Sequence, residues 1–437
     1  METLLERLLD SQLSGVRNEA IHAPTVTPSV TIERVELWNI RCFDELTVDL
    51  QSGSRLGGRW TCLAGINGSG KTAVLEAISL VLLGARLATD LGSGRLKRLR
   101  RRVGGVTQDS RIRATLMEGG DKRVVELSLK EAMIDPIAQT GTGEVAGDFW
   151  ARQYQRVLLS FGATRNLSGA SPHNPERVDV EVLRQLSLFE PHSQLAYAQT
   201  MYGKLKVTAL FWELLKNLVG SVFPGELEVV MQGGRGGRVW FAMNDDLIEP
   251  QDLPDGYRSS VAWMTDLCAT WVLKSPPGAL DADPTRIDAV VLIDEIDLHL
   301  HPSLQRRIVP SLRKALPRVQ WIVTTHSPMV ISSFASEEIV ILDREEPGGI
   351  RRVDREILGF SADDVYEWLM DTPPHSQAID ELAERALRGD DQQAAEDVSM
   401  LLSLSPEVGK DTARKLLERR KALGRQIAAR RRGEPDS

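Results

Sequence analysis

An α/β fold built on a largely parallel sheet is predicted by three features of the sequence. The runs at 289–295 (AVVLIDE) and 320–326 (QWIVTTH) are apolar almost to their ends, as strands covered on both faces require. Between them SLQRRIVPSLRKALP has helical spacing, so the order is strand, helix, strand. A third buried strand, WTCLAG at 60–65, runs straight into a glycine-rich turn.

The other elements follow in chain order. Residues 1–30 join a short amphipathic patch (Leu4, Leu5, Leu8, Leu9) to a stretch containing Pro24 and Pro28, and read as a loosely attached arm. From Thr31 the alternation TIERVELWNI, then LTVDL at 46–50, predicts antiparallel strands. A helix is expected over 72–88. Residues 95–113 carry eight Arg or Lys and one Asp, and lead into the strand-like RATLMEGGDKRVVELSL, which turns at Gly119 and Gly120. QRVLLSFG at 155–162 reads as another buried strand, 176–222 as mostly helical, and 227–243 as a hairpin with a Gly-rich turn. A loop from Leu253 opens a helix, and from about 355 the chain reads as helical, with Ser361 and Ser405-Pro406 as helix starts. The expected organisation is an arm (1–30), a head (31–354) and a helical C-terminal region (355–437). The head joins the parallel sheet to an antiparallel β subdomain and a basic, helical insertion over about 90–225.

Apolar residues make up 42% of the 437 and Gly adds 35 more, a composition that excludes wholesale disorder and a coiled-coil rod. With 53 basic and 61 acidic residues the net charge is −8, which excludes a uniformly basic nucleic-acid coat but leaves local basic patches open. Cys42, Cys62 and Cys268 form no CxxC pair, so neither a disulfide framework nor a zinc site is indicated. No run reaches the roughly 18 apolar residues of a membrane span, and the acids of METLLERLLD disagree with a signal peptide. A cytoplasmic protein with no membrane contact is expected.

Gly65-Ile66-Asn67-Gly68-Ser69-Gly70-Lys71-Thr72 fits GxxxxGK followed by Ser or Thr, between a strand and a helix. Its glycines let the backbone of Asn67, Gly68, Ser69 and Gly70 curl so that N–H groups face phosphate oxygens at the positive end of the following helix. Lys71 is expected to neutralise the β- and γ-phosphates of ATP, and the Thr72 hydroxyl to hold Mg²⁺. Asp294 and Glu295 end a parallel strand, where ligands collect in open α/β sheets. Asp294 is expected to reach Mg²⁺, and Glu295 to polarise a water for attack on the γ-phosphate. His326, after the next strand, can donate to that phosphate, although a histidine at a strand end is also a common structural element.

Leu253-Pro254-Asp255-Gly256-Tyr257-Arg258-Ser259 would on its own be an ordinary capped turn. Taken in order with the other motifs, it resembles the signature loop LSxGxRS of ABC-type ATPases of the RecF/SMC/OLD group. DEIDLHLHP at 294–302 is similar to that group's DExxxxLHP, LWNIRCFDELTVDL to its N-terminal strand, and TTHSP to its switch-histidine segment. The likeness spans about 31 to 345. It implies an ABC-type P-loop head that hydrolyses ATP as a head-to-tail dimer or higher assembly, with Gly256 and Ser259 of one head closing over the γ-phosphate held by the other. It also implies that Asn39 and Arg41 approach the nucleotide; a surface-strand role is the equal alternative.

Two departures accompany the likeness. LLSFGATRNL at 158–167 occupies the place of the Q-loop but ends in Thr164 and Arg165, leaving Arg165 as the candidate replacement for the glutamine. Only 184 positions separate Thr72 from Gly256, with no sustained heptads, so the long coiled-coil arm is missing. Compact heads with a helical tail resemble the ATPase subunits of bacterial anti-phage defence, such as the PtuA-like proteins of Septu and some retrons, which work with a separate nuclease or other effector. A RecF-like DNA-repair ATPase and a nucleotide-gated scaffold with negligible turnover are the alternatives. Residues 95–113 offer a double-stranded DNA contact or simply a solvated charged loop. The run 414–432, with nine basic residues and an amphipathic face, suits docking better than nucleic-acid binding.

Overall fold

The computed structural model describes residues 30–50, 54–130, 134–140, 150, 156–163, 180–190, 209–232, 238–275 and 281–351, with scattered positions from 353 to 398. The chain divides into two compact units, Met1–Ala362 and Asp363–Ser437, and the architecture here is that of the first. The N-terminal arm as far as residue 29, Thr164, Arg165, the basic run at 414–432 and most of the expected helical tail lie outside the described residues.

β1 (Val30–Ile40) and β2 (Phe43–Asp49) form an antiparallel hairpin, and β3 (Arg59–Ala64) leads into the glycine loop. A helix follows over Lys71–Asp90, then a short one over Ser93–Leu99. The basic run therefore divides between that short helix, a small hairpin of β4 (Arg102–Val103) and β5 (Val106–Thr107), and the start of β6 (Ser110–Glu118). β6, β7 (Asp121–Leu129) and β8 (Ile134–Thr140) extend the first hairpin into a five-stranded sheet in the order β2-β1-β6-β7-β8. The segment expected to be a basic, helical insertion thus also supplies three strands of this sheet. The reason is local: Ile112, Ala114 and Leu116 alternate with polar neighbours, and Val125, Leu127 and Leu129 do the same, so each strand buries one face.

β9 (Leu158–Phe161) precedes the short helices Val180–Leu183 and Leu186–Phe189 and the longer helix Ala209–Val222. β10 (Glu228–Gln232), β11 (Arg238–Met243) and β12 (Asp246–Ile248) form a separate antiparallel sheet. The helix Asp255–Lys274 is followed by β13 (Val290–Ile293), the helix Pro302–Ala315, β14 (Gln320–Thr324), and finally β15 (Ile339–Leu342) and β16 (Ile350–Arg351). The second large sheet runs β16-β15-β3-β14-β13-β9 and is parallel except for its β16 edge.

The helix Lys71–Asp90 packs against both large sheets. Val74, Ile78 and Val81 share one core with Ile112 and Leu127 on the antiparallel side and with Leu63, Leu292 and Ile322 on the parallel side. Burial on both sides explains why the sequence of this helix is apolar nearly all round. On the other face of the parallel sheet, Trp60 and Trp321, neighbours in register, stack with centroids 5.1 Å apart. Trp263 of the helix Asp255–Lys274 meets Trp321 edge-on.

Candidate nucleotide-binding site

The glycine loop follows β3, and its shape depends on backbone that only glycine adopts readily. Gly70 has φ 101°, and a Cβ there would lie 2.5 Å from the Phe43 ring. Gly65 has φ 143°, and its Cβ would meet the Leu342 carbonyl at 2.7 Å. Lys71 is buried, and its ammonium donates to the carbonyls of Gly65 (2.9 Å) and Ile66 (3.1 Å). Burial holds its pKa below the ordinary lysine value, opposed by the nearby Asp294 and Glu295.

β14 lies between β3 and the acidic strand β13, so the segment that follows β14 is held between the two motifs. The Thr72 hydroxyl donates to Asp294 Oδ2 at 2.8 Å. The Thr324 hydroxyl donates to Asp294 Oδ1 at 2.6 Å and accepts the Glu295 N–H at 2.8 Å. Glu295 sits in left-handed backbone, φ 49°, immediately past the strand. Thr325 donates to Asp297, and Ser327 donates to Gln305 Oε1 at 2.6 Å, which ties both sides of His326 to the loop and helix after the acids. His326 is partly buried; that burial, and then the Lys71 ammonium, lower its pKa from 6.5.

Asn67, Gly68, Gly70, Lys71, Thr72, Asp294, Glu295 and His326 line one cleft of ≈760 Å³. Arg41 lines it too, donating to the buried Glu76 carboxylate at 2.9 Å, one helical turn beyond Thr72. Burial raises the Glu76 pKa, against the opposing pull of Arg41. Ser69 is buried within the loop itself, with its carbonyl 3.7 Å from the Cys42 thiol. Asn39 does not line the cleft: its side chain donates to the Asp109 carbonyl at 3.0 Å. Gly256 and Ser259 are also absent from the lining. The expected signature loop is shorter than its motif, because the helix begins at Asp255 and takes both residues into its first turns. Gly256 packs so closely on the loop after Glu295 that a Cβ would lie 2.6 Å from the His299 carbonyl. Tyr257 donates to Glu226 at 2.8 Å, and burial followed by this bond pushes its pKa up to about 12.

Sequence spacing missed Cys42, Arg100, Arg102 and Arg344, which line the same cleft. Arg344, after β15, donates to the Gly68 carbonyl. The basic run hinted at Arg100 and Arg102, but not that they face the nucleotide cleft; nothing in the sequence pointed to Arg344. Four guanidinium groups and Lys71 against two carboxylates suit a polyphosphate anion. The Thr72 hydroxyl and Asp294 carboxylate supply adjacent hard oxygen donors, as Mg²⁺ prefers when phosphates and water complete its shell. Among the described residues no group of three or more His, Cys, Asp or Glu could hold a metal, so a separate all-protein metal centre is not built there.

One strand lies between the phosphate loop and the acidic pair, and Gly256 is held outside the cleft, an arrangement that makes this a P-loop ATPase head resembling the ABC-type heads of the RecF/SMC/OLD group. A family model described as "AAA domain" matches residues 34–168, and one described as "AAA domain, putative AbiEii toxin, Type IV TA system" matches 268–332. Within the class, the chain resembles the Septu protein PtuA of Bacillus mycoides (strain KBAB4). The two are 28% identical over 320 residues, covering 72% of this chain and 41% of that protein. It is 34% identical to the Retron Ec83 probable ATPase of Escherichia coli over 165 residues, 36% of this chain and 29% of the relative. The chain spans less than half the length of these curated relatives. A crystal structure of an SMC head bound to the C-terminal winged-helix domain of ScpA aligns over 74% of this chain and 97% of its own, at 14% identity and a TM-score of 0.49.

Proposed function

We propose that this chain is an ATP-driven switch in bacterial anti-phage defence. ATP with Mg²⁺ pairs two copies head to tail, the pair controls a partner protein or an activity on DNA, and hydrolysis resets it. The observation that carries this reading is the separation within one chain of the cleft holding Lys71, Asp294 and Glu295 from the helix start holding Gly256 and Ser259. A second copy can supply that helix start, whose first-turn N–H groups suit an anion. Its Gly256 and Ser259 would then cover the γ-phosphate.

In the cleft, the loop N–H groups and Lys71 hold the β- and γ-phosphates, while Arg41 approaches from the β1–β2 hairpin. Thr72 and Asp294 would hold Mg²⁺, which supplies charge neutralisation to the phosphates when bound. Glu295 accepts the proton of the attacking water, and His326 donates to the γ-phosphate. The likeness to PtuA and the retron ATPase supports the defence setting and the expectation of a separate effector, in the cytoplasm. No helix among the described residues is long and apolar enough to cross a membrane.

A RecF-like role in DNA repair draws on a narrower observation. Arg98 and Arg102 form no ion pair among the described residues, whereas Arg95, Arg100 and Arg101 are paired with Glu190, Asp109 and Asp44. The test of the main reading is sedimentation of Glu295→Gln. With saturating ATP and Mg²⁺ a dimer should accumulate while turnover falls about 10²- to 10⁴-fold; a monomer under those conditions would overturn the head-to-tail pairing.

A further inference from the structure

We infer that Thr324 is a positioning residue for hydrolysis, through which one hydroxyl sets both carboxylates of the acidic pair. The inference rests on the reading of Asp294 and Glu295 as the metal- and water-directing groups. Thr324 closes β14 and is fully buried. Its Oγ1 donates to Asp294 Oδ1 at 2.6 Å and accepts the Glu295 N–H at 2.8 Å. A hydroxyl is one of the few groups able to do both at once, since it has one proton to give and lone pairs to receive.

The two bonds have separate consequences. Asp294 is gripped at one oxygen by Thr72 from the phosphate loop and at the other by Thr324, so the carboxylate plane is fixed relative to the loop. Glu295 occupies left-handed backbone, which a non-glycine residue holds only when its surroundings impose it. The Thr324 oxygen on its N–H is a bond that imposes it, and the Ile296 N–H on the Thr324 carbonyl (3.0 Å) clamps the same turn from the other side. Where the Glu295 side chain points is thus decided by a residue that does not line the cleft. Partners of this outer kind orient the groups that act, and their loss typically costs about 10- to 100-fold in metal affinity or activity.

Thr324→Val keeps the shape and branching of the strand residue but removes the hydroxyl; Thr324→Ser keeps the hydroxyl. Steady-state hydrolysis and fluorescent-ATP binding with and without Mg²⁺ separate the roles. The expected result for Thr324→Val is a kcat loss of about 10- to 100-fold and a rise in the Mg²⁺ concentration needed for half-maximal binding, with Mg²⁺-free affinity unchanged. Thr324→Ser should restore both to within a few-fold. Wild-type kcat and Mg²⁺ dependence in Thr324→Val, or equal loss in the serine variant, would overturn the role of the hydroxyl. If the wild-type protein itself bound ATP without hydrolysing it, and Glu295→Gln changed nothing, the reading of the acidic pair would fall and take this inference with it.

Discussion

The Thr72 hydroxyl and Asp294 Oδ2 lie 2.8 Å apart across 222 positions of sequence. That one bond joins the phosphate loop to the acidic strand, and the parallel sheet makes it possible: β3 and β13 run the same way with β14 between them, so the chain leaves both at the same edge.

Lys71 is anchored to two carbonyls of its own loop, so its removal should affect ligand binding more than folding. Lys71→Ala is expected to weaken ATP binding roughly 10- to 100-fold, the magnitude of a lost hydrogen bond to a charged group. Titration with fluorescent ATP checks this; unchanged affinity would remove the assignment of the loop.

Gly256 has no space for a side chain, since a Cβ would meet the His299 carbonyl at 2.6 Å. Gly256→Ala should therefore lower stability by about 1–3 kcal/mol, as overpacking does. By displacing the loop that follows Glu295, it should also lower turnover. Denaturant unfolding and hydrolysis rates read the two effects, and wild-type stability would show that the helix start can move aside freely.

Replacing the whole basic run would confound charge with folding, because Arg100 and Arg101 are held by Asp109 and Asp44. The cleaner variant is Lys97→Ala with Arg98→Ala, since both side chains are exposed and neither lines the nucleotide cleft. If the run faces duplex DNA, the slope of log affinity against log salt should shrink by about two, near 0.9 for each phosphate no longer neutralised. An identical slope would retire the DNA-facing role of the segment.

His326 has a folded pKa below its ordinary 6.5, chiefly because it is buried. Between those values the unfolded chain binds more protons than the folded one, so stability rises with pH in that window and is lost as pH falls through the folded value. Above the window the contribution is fully present. Urea unfolding of wild type and His326→Gln across pH 5 to 7.5 should show this slope in the wild type only (about that window by the ordinary histidine value). Parallel slopes would mean that His326 does not carry it.

How much of the fold is legible in the sequence depends on the range over which each feature is determined. The P-loop helix and its glycines, the turn at Gly119 and Gly120, and the strands ending at Ile293 and Thr324 follow from local spacing, because periodicity and backbone freedom act over a few residues. The expectation for 95–113 is coarser. Charge alone does not separate Arg100 and Arg102, which face the nucleotide cleft, from Arg98, which does not line it. Asn39 resembles a ligand by its motif, yet the return of the chain at Asp109 gives its side chain a backbone partner.

The sequence by itself determined a phosphate loop, an acidic pair and the order of the elements that carry them, since these are properties of adjacent residues. Only the tertiary structure decided what completes the site. Arg344 reaches Gly68 from the end of β15, the strand beside β3, Thr324 holds Asp294 and Glu295, and Gly256 lies against His299. Each of these contacts joins residues on different elements, and their meeting is set by strand order and register within a shared core rather than by the spacing of neighbours along the chain.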